Sequence, residues 1–164
     1  MNRFLIRILV LAVALVVLVA GTALATPALP LVGERPAGTF LSRGTLSESV
    51  HFNTGEVKFQ TKAPVDFVVQ TITFPAGSSS GWHSHPGVVM VSITSGELRH
   101  YTADCSFETL SAGGAFVESG SHAGLVQNVS GSPVVVHVTY VVPAGTTNPH
   151  LRIDQPNPGC LGIN

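Results

Sequence analysis

From residue 56 to residue 142 the chain is a succession of short β-prone runs, each stopped by turn residues, and no window there carries a sustained helical period. Glu56–Thr61 alternates. Val65–Phe74 (VDFVVQTITF) is β-branched and aromatic and stops at Pro75-Ala76-Gly77. Val88–Thr94 (VVMVSIT) is almost continuously apolar and ends at Ser95-Gly96. Gly96–Ala103, Ser106–Leu110 and Ala115–Glu118 follow at short intervals, with turns at Gly113-Gly114 and Gly120. Pro133–Val142 (PVVVHVTYVV) is the last strong run, closed by Pro143-Ala144-Gly145. Residues of this kind fit a pleated, half-buried surface, and the glycines and prolines between them set tight reversals. Many short strands at even spacing, with no internal repeat, predict one all-β domain: a β-barrel or jelly roll.

The N-terminus belongs to a different class. Arg3 and Arg7 precede an apolar run from Ile8 to Ala20, and Ala23-Leu24-Ala25 offers the small residues of a cleavage site before Thr26. Residues 1–25 therefore read as a signal peptide, and the protein as secreted or otherwise extracytoplasmic. The run Leu5–Ala20 is 16 residues long, against the roughly 20 that span a bilayer as a helix. Membrane attachment follows only if the segment stays uncleaved. Residues 26–44, rich in Pro and Gly, read as a leader, and residues 45–164 as the β-barrel domain. Removing residues 1–25 takes Arg3 and Arg7 from the 8 Lys and Arg and none of the 9 Asp and Glu, leaving a net charge of about −3. Such a surface does not attract nucleic acid. Cys105 and Cys160, an even pair in an exported chain, read as a disulfide across a loop of about 55 residues, with a thiolate metal or redox pair as the rival.

The candidate chemistry lies in Gly81-Trp82-His83-Ser84-His85-Pro86. Two His at i and i+2 on extended chain project to one face about 7 Å apart. Both imidazoles can then converge on one cation, given a third ligand from a neighbouring strand.

At these residues the chain resembles the cupins, whose first motif is G-x5-H-x-H-x3/4-E-x6-G and whose second is G-x5-P-x-G-x2-H-x3-N. Gly77, His83, His85 and Gly96 stand at the spacing of the first motif, and Gly113–Asn128 has the character of the second. The resemblance covers about residues 65–145 and implies a cupin-type jelly-roll barrel. It also implies a divalent transition metal (Zn, Fe, Mn, Ni or Cu) held by His83, His85 and His122. Two departures stand out. The Glu of the first motif falls at Val89, or at Met90 with the longer spacing. His122 lies six residues before Asn128, and the position aligned with the motif's His is Gly124.

His137 shares a face with Val135 and Thr139 and is the reserve ligand should that face point inward. His51, His100 and His150 fall at element ends and read as solvated, Trp82 as packing at the barrel rim, and Glu97 as an exposed charge. No Ser or Cys nucleophile motif and no phosphate-cradling loop is present. Three functions stay open: a barrel that binds a small molecule, with or without a metal; a metal-dependent, dioxygenase-like oxidoreductase; and a homodimeric assembly role compatible with either.

Overall fold

The computed structural model describes residues 35–163. Residues 1–25, read from the sequence as a signal peptide, lie outside them, and among the described residues no helix is long and apolar enough to cross a membrane. Twelve strands follow one another: β1 (Ala37–Leu46), β2 (His51–Asn53), β3 (Lys58–Gln60), β4 (Val65–Phe74), β5 (His83–Ser84), β6 (Val88–Ser95), β7 (Glu97–Thr102), β8 (Phe107–Ser111), β9 (Ala115–Ser119), β10 (Gly124–Gln127), β11 (Val134–Pro143) and β12 (Ile153–Asp154). A 3-10 turn, Asn148–His150, precedes β12. The strands form two five-stranded antiparallel sheets, ordered β1-β4-β11-β6-β9 and β12-β5-β10-β7-β8, with β2 and β3 as a separate hairpin. This is the jelly-roll barrel that the strand pattern predicts.

The first sheet turns one face to the interior. Along β6 exposed and buried residues alternate, and Val89, Val91 and Ile93 point inward. Opposite them β11 buries Val134, Val136, Val138 and Tyr140. Register aligns these side chains in rows across the sheet. One row runs Val68–Tyr140–Val89–Glu118 and the next Gln70–Val138–Val91–Phe116. A Val-rich row buries well because β-branched side chains fill the space above a pleat at little rotamer cost. The β6–β7 reversal needs Gly96: its φ is +78°, and a Cβ there would come within 2.6 Å of a Val134 methyl.

β1 crosses the boundary placed at residue 45. It pairs with β4 from Ala37↔Thr73 to Leu46↔Val65, with a register shift between Phe40 and Ser42. Residues 37–44, read from sequence as leader, are therefore edge strand. They are mostly exposed and carry little hydrophobic alternation, so periodicity does not reveal them. Asp66 anchors this edge. Its carboxylate accepts from Thr45 Oγ1 (2.7 Å), Arg43 Nη1 (2.6 Å) and the Gly145 amide (3.0 Å). The hydrogen bond from Thr45 is the foremost cause holding the Asp66 pKa below the usual carboxylate range, with Gly145 and Arg43 assisting against burial. A lowered carboxylate pKa stabilises the fold above the unfolded value of about 3.9, and that contribution fades as pH falls through the folded value. Arg43 is a quarter exposed, so solvent screens the pair. Asp66→Ala is expected to cost about 1–2 kcal/mol at pH 7. The gap to the wild type should narrow below about pH 4 in urea melts; a gap independent of pH would contradict this role.

Asn128 closes the opposite corner. Fully buried, its side-chain nitrogen lies 3.0, 3.0 and 2.8 Å from the carbonyls of Phe74, Pro75 and Ser132, and its Oδ1 accepts from the Ser130 amide and hydroxyl. It ties the end of β4 and the turn after it to the start of β11. Asn128→Ala leaves buried carbonyls without a donor and is expected to destabilise by about 3 kcal/mol. A loss under about 1 kcal/mol in equilibrium unfolding would show that the corner repacks.

Cys105 and Cys160 are bonded, with Cα atoms 5.4 Å apart. The bond pins the tail to the β7–β8 turn, beside a small cluster of Trp82, Tyr101 and Leu125. Trp82 donates its indole N–H to the Ile163 carbonyl at 3.2 Å. This is rim packing under the tail, as its place next to the H-x-H suggests.

Candidate metal centre

His83 and His85 sit on and just after β5, a two-residue strand between β12 and β10. It is short because the Ser- and Gly-rich segment before it and Pro86-Gly87 after it cannot extend a ladder. Both imidazoles are buried, and their rings meet edge to face at 4.8 Å between centroids. Across the barrel, Glu118 reaches in from β9. His85 Nε2 is 3.1 Å from Glu118 Oε2, and His83 Nε2 is 4.0 Å from Oε1. One ligand atom from each of His83, His85 and Glu118 lies within 4.8 Å of the others.

The far side of each ring fixes its tautomer. His85 Nδ1 is 2.6 Å from the Leu151 carbonyl, and His83 Nδ1 is 2.9 Å from the Gly81 carbonyl. A carbonyl only accepts, so both Nδ1 atoms carry hydrogen and donate. In a neutral ring Nε2 is then a bare lone pair, and here two such lone pairs face one carboxylate. That arrangement requires a cation at its centre, either a proton on Nε2 or a metal ion. Carbonyls holding the Nδ1–H while Nε2 faces the centre are the orientation that metal-ligating histidines use. Burial is the main cause that lowers the His83 pKa, outweighing the pull of Glu118, and a proton is thereby disfavoured on that ring. For Glu118, burial works to raise the carboxyl, but the hydrogen bond from His85 and the charges of His83, His85 and His100 hold it below the ordinary range. Two imidazoles and a carboxylate on one face are a donor set for a divalent transition metal with positions left open. The residues fit the metal that the resemblance implies.

The third donor beside the pair is Glu118, not His122. His122 is exposed in the turn between β9 and β10, and its Nδ1 lies 3.0 Å from the Ser119 carbonyl. The missing Glu of the first motif is explained by register. Val89 occupies its position, fully buried against the cavity, and the cross-strand partner of Val89 is Glu118. The carboxylate stands one strand over, in the same row. Gly124, where the second motif has its His, also keeps the site open. A Cβ there would lie 3.3 Å from Glu118 Oε1 and 3.5 Å from His100 Nε2. His100, expected in solvent, is buried on β7. It stacks on Phe116 at 4.3 Å, with its Nε2 3.8 Å from Glu118 Oε1 and its Nδ1 3.1 Å from Glu108. A signal existed here too: His100 stands two residues after the buried Leu98 and so shares its inward face, in the middle of β7 and not at its end. His137 is exposed on the outer face of β11, and His51, His150 and Glu97 are exposed as expected. A signal for Glu118 existed: in Ala115–Ser119 it shares the inward face with the apolar Phe116.

The centre opens into a cavity of about 330 Å³. Its walls are Ile72, Phe74, Val91, Phe116, Val126, Val136 and Val138, and its polar lining includes Tyr140 and Arg152. Burial foremost, then the nearby Glu118, pushes the Tyr140 phenol up to about 12, so it remains a hydrogen-bond donor.

No protein-family model and no curated protein matches the chain. Solved structures do. An uncharacterized conserved protein with a double-stranded β-helix domain from Klebsiella pneumoniae superposes with a TM-score of 0.50 at 15% identity, over 68% of this chain and 75% of that one. The chain has the cupin fold. The cupin domain of Cnp3 from Schizosaccharomyces pombe gives a TM-score of 0.44 at 13% identity, over 57% of this chain and 63% of that one. The DMSP lyase DddQ from Ruegeria pomeroyi gives 0.48 at 16% identity, over 56% of this chain and 44% of the lyase.

Proposed function

We propose that this cupin is an extracytoplasmic barrel that binds a small molecule at a divalent transition metal held by His83, His85 and Glu118. The observation that carries it is the pair of Nε2 atoms turned toward one buried carboxylate while both Nδ1–H groups are spent on carbonyls. The disulfide supports an oxidising compartment. A bound metal supplies Lewis acidity and open positions for a ligand or for oxygen. The chain's own groups do the rest: the Val and Phe wall excludes water, and Tyr140 offers a proton-bearing oxygen next to His85, ring centroids 5.6 Å apart.

A second reading is a metal-dependent oxidoreductase. It is favoured by the donor set itself, since two His and one carboxylate on one face are the facial triad of non-haem iron oxygenases.

Elemental analysis of the full chain, purified without chelator or affinity tag, tests the proposal. About one equivalent of a transition metal per chain is expected, lost in His83→Ala and in His85→Ala with the fold retained by circular dichroism. No metal after reconstitution with Zn²⁺, Fe²⁺, Mn²⁺, Ni²⁺ and Cu²⁺, or full retention in both variants, would overturn it. Oxygen consumption by the Fe²⁺-loaded protein over a panel of small organic acids separates the two readings.

A further inference from the structure

We infer that the ligand of this barrel is a short-chain aliphatic carboxylate, its head group taken by Arg152 and Tyr140 beside the metal centre and its tail laid along the valine wall. The inference deepens the small-molecule reading of the cavity and rests on it; the metal enters only as a neighbour of the head group.

The polar groups lining the cavity are short of acceptors. Glu118 is the one acidic residue among the described lining residues, and it belongs to the donor cluster. Ser80 is committed, donating to the Gly81 carbonyl and accepting from the Val126 amide. Arg152 donates only its Nε, to Asp154 at 2.7 Å; Nη1 and Nη2 make no hydrogen bond among the described residues. The Tyr140 hydroxyl likewise has no partner among them. Arg152, a little over a third exposed, and the Tyr140 phenol therefore present donors to the cavity that no group among the described residues accepts. A carboxylate accepts a guanidinium's two parallel N–H bonds in a matching fork.

Their placement sets the ligand's orientation. Arg152 follows Leu151, whose carbonyl holds His85, and its Nη2 lies 3.6 Å from where a Gly81 side chain would begin. The guanidinium thus lies against the backbone turn at Gly81, beside the H-x-H. Tyr140 stands in the same row as Glu118. From that row the wall runs down β11 through Val138 to Val136, with Val91 and Ile72 beside them on the neighbouring strands; Gln70 is the polar side chain of this stretch, and the lining also includes Arg35. Four residues of strand span about 13 Å, more than the length of a short alkyl chain, so such a tail can lie along the wall in full. An anion without an apolar body, such as inorganic phosphate, would leave this wall unused.

The probe is hexanoate, with hexanamide and hexylamine of equal length as controls. Each is titrated calorimetrically into the full chain with and without Zn²⁺, and Zn²⁺ content is measured on the same samples. Hexanoate is expected to bind at least about 10-fold more tightly than hexanamide, and hexylamine not at all. Arg152→Gln should bring hexanoate down to the level of hexanamide, with Zn²⁺ content and hexanamide binding unchanged. Tyr140→Phe should weaken hexanoate several-fold. Equal binding of acid and amide, hexanoate affinity indifferent to Arg152→Gln, or no binding of any probe by a folded chain would each overturn the inference. Stoichiometric Zn²⁺ without hexanoate binding would leave the metal centre standing and remove the acid. Hexanoate binding that depends on Arg152 in a chain that takes up no metal would do the reverse.

Discussion

Glu118→Gln is expected to lower metal affinity by more than about 100-fold, beyond what loss of an outer-sphere partner costs. It should also erase the thermal stabilisation that the metal gives. At a free metal concentration 100 times Kd, binding stabilises the native state by about 2.7 kcal/mol, roughly 10 °C for a domain of this size. The variant should show none of that gain. Gln keeps the volume of Glu and brings an amide N–H that can donate to the His85 Nε2 lone pair, so the metal-free variant should stay within about 2 kcal/mol of the metal-free wild type. Loss of metal would then reflect a lost ligand and not a lost fold. His122→Ala is the matched control, and an exposed turn residue should leave metal content unchanged. A Glu118→Gln chain that still holds one equivalent, or a His122→Ala chain that loses it, would move the third ligand elsewhere. Isothermal titration with Zn²⁺ and melts with and without metal give both readouts.

The contrast between Glu118 and His122 shows what a one-dimensional pattern can carry. The strands with dense β-branched sequence, β4, β6 and β11, are legible to within a residue because burial on one face imposes its own period. The strands that escape notice are short or exposed. β5 and β12 have two residues each, β10 begins at a glycine, and β1 is an exposed edge. Their place is set by partners far away in sequence, as when His83 pairs with both Gly124 and Asp154. The H-x-H pair is legible because its two members are local. The third ligand is not, because it is chosen by the register between β6 and β9, which puts Glu118 opposite Val89. A motif read along the chain looks for the carboxylate at position 89, whereas the barrel needs only a carboxylate in that row.

Removing the Cys105–Cys160 bond is expected to cost about 4 kcal/mol, the loop-closure entropy of 55 residues, and to lower the melting temperature by roughly 15 °C. The Cys105→Ser/Cys160→Ser double variant in urea denaturation is the measurement, with reduction of the wild type as a second route to the same state. The consequence should reach the metal centre through the tail. The bond holds the segment after residue 150 against the second sheet, where β12 pairs with β5 and the Gln155 amide donates to the Trp82 carbonyl at 3.0 Å. In the same segment the Leu151 carbonyl receives the Nδ1–H of His85. A tail free to leave takes away the acceptor that fixes the His85 tautomer, and loss of such a partner lowers metal affinity by about 10–100-fold. The variant should therefore lose both stability and metal, with all three ligands intact. If it loses stability but binds Zn²⁺ as the wild type does, β12 and Leu151 stay docked through their own hydrogen bonds, and the disulfide serves the fold alone. If it loses neither, the loop is closed in the unfolded chain by other contacts, and the bond is incidental to both fold and site.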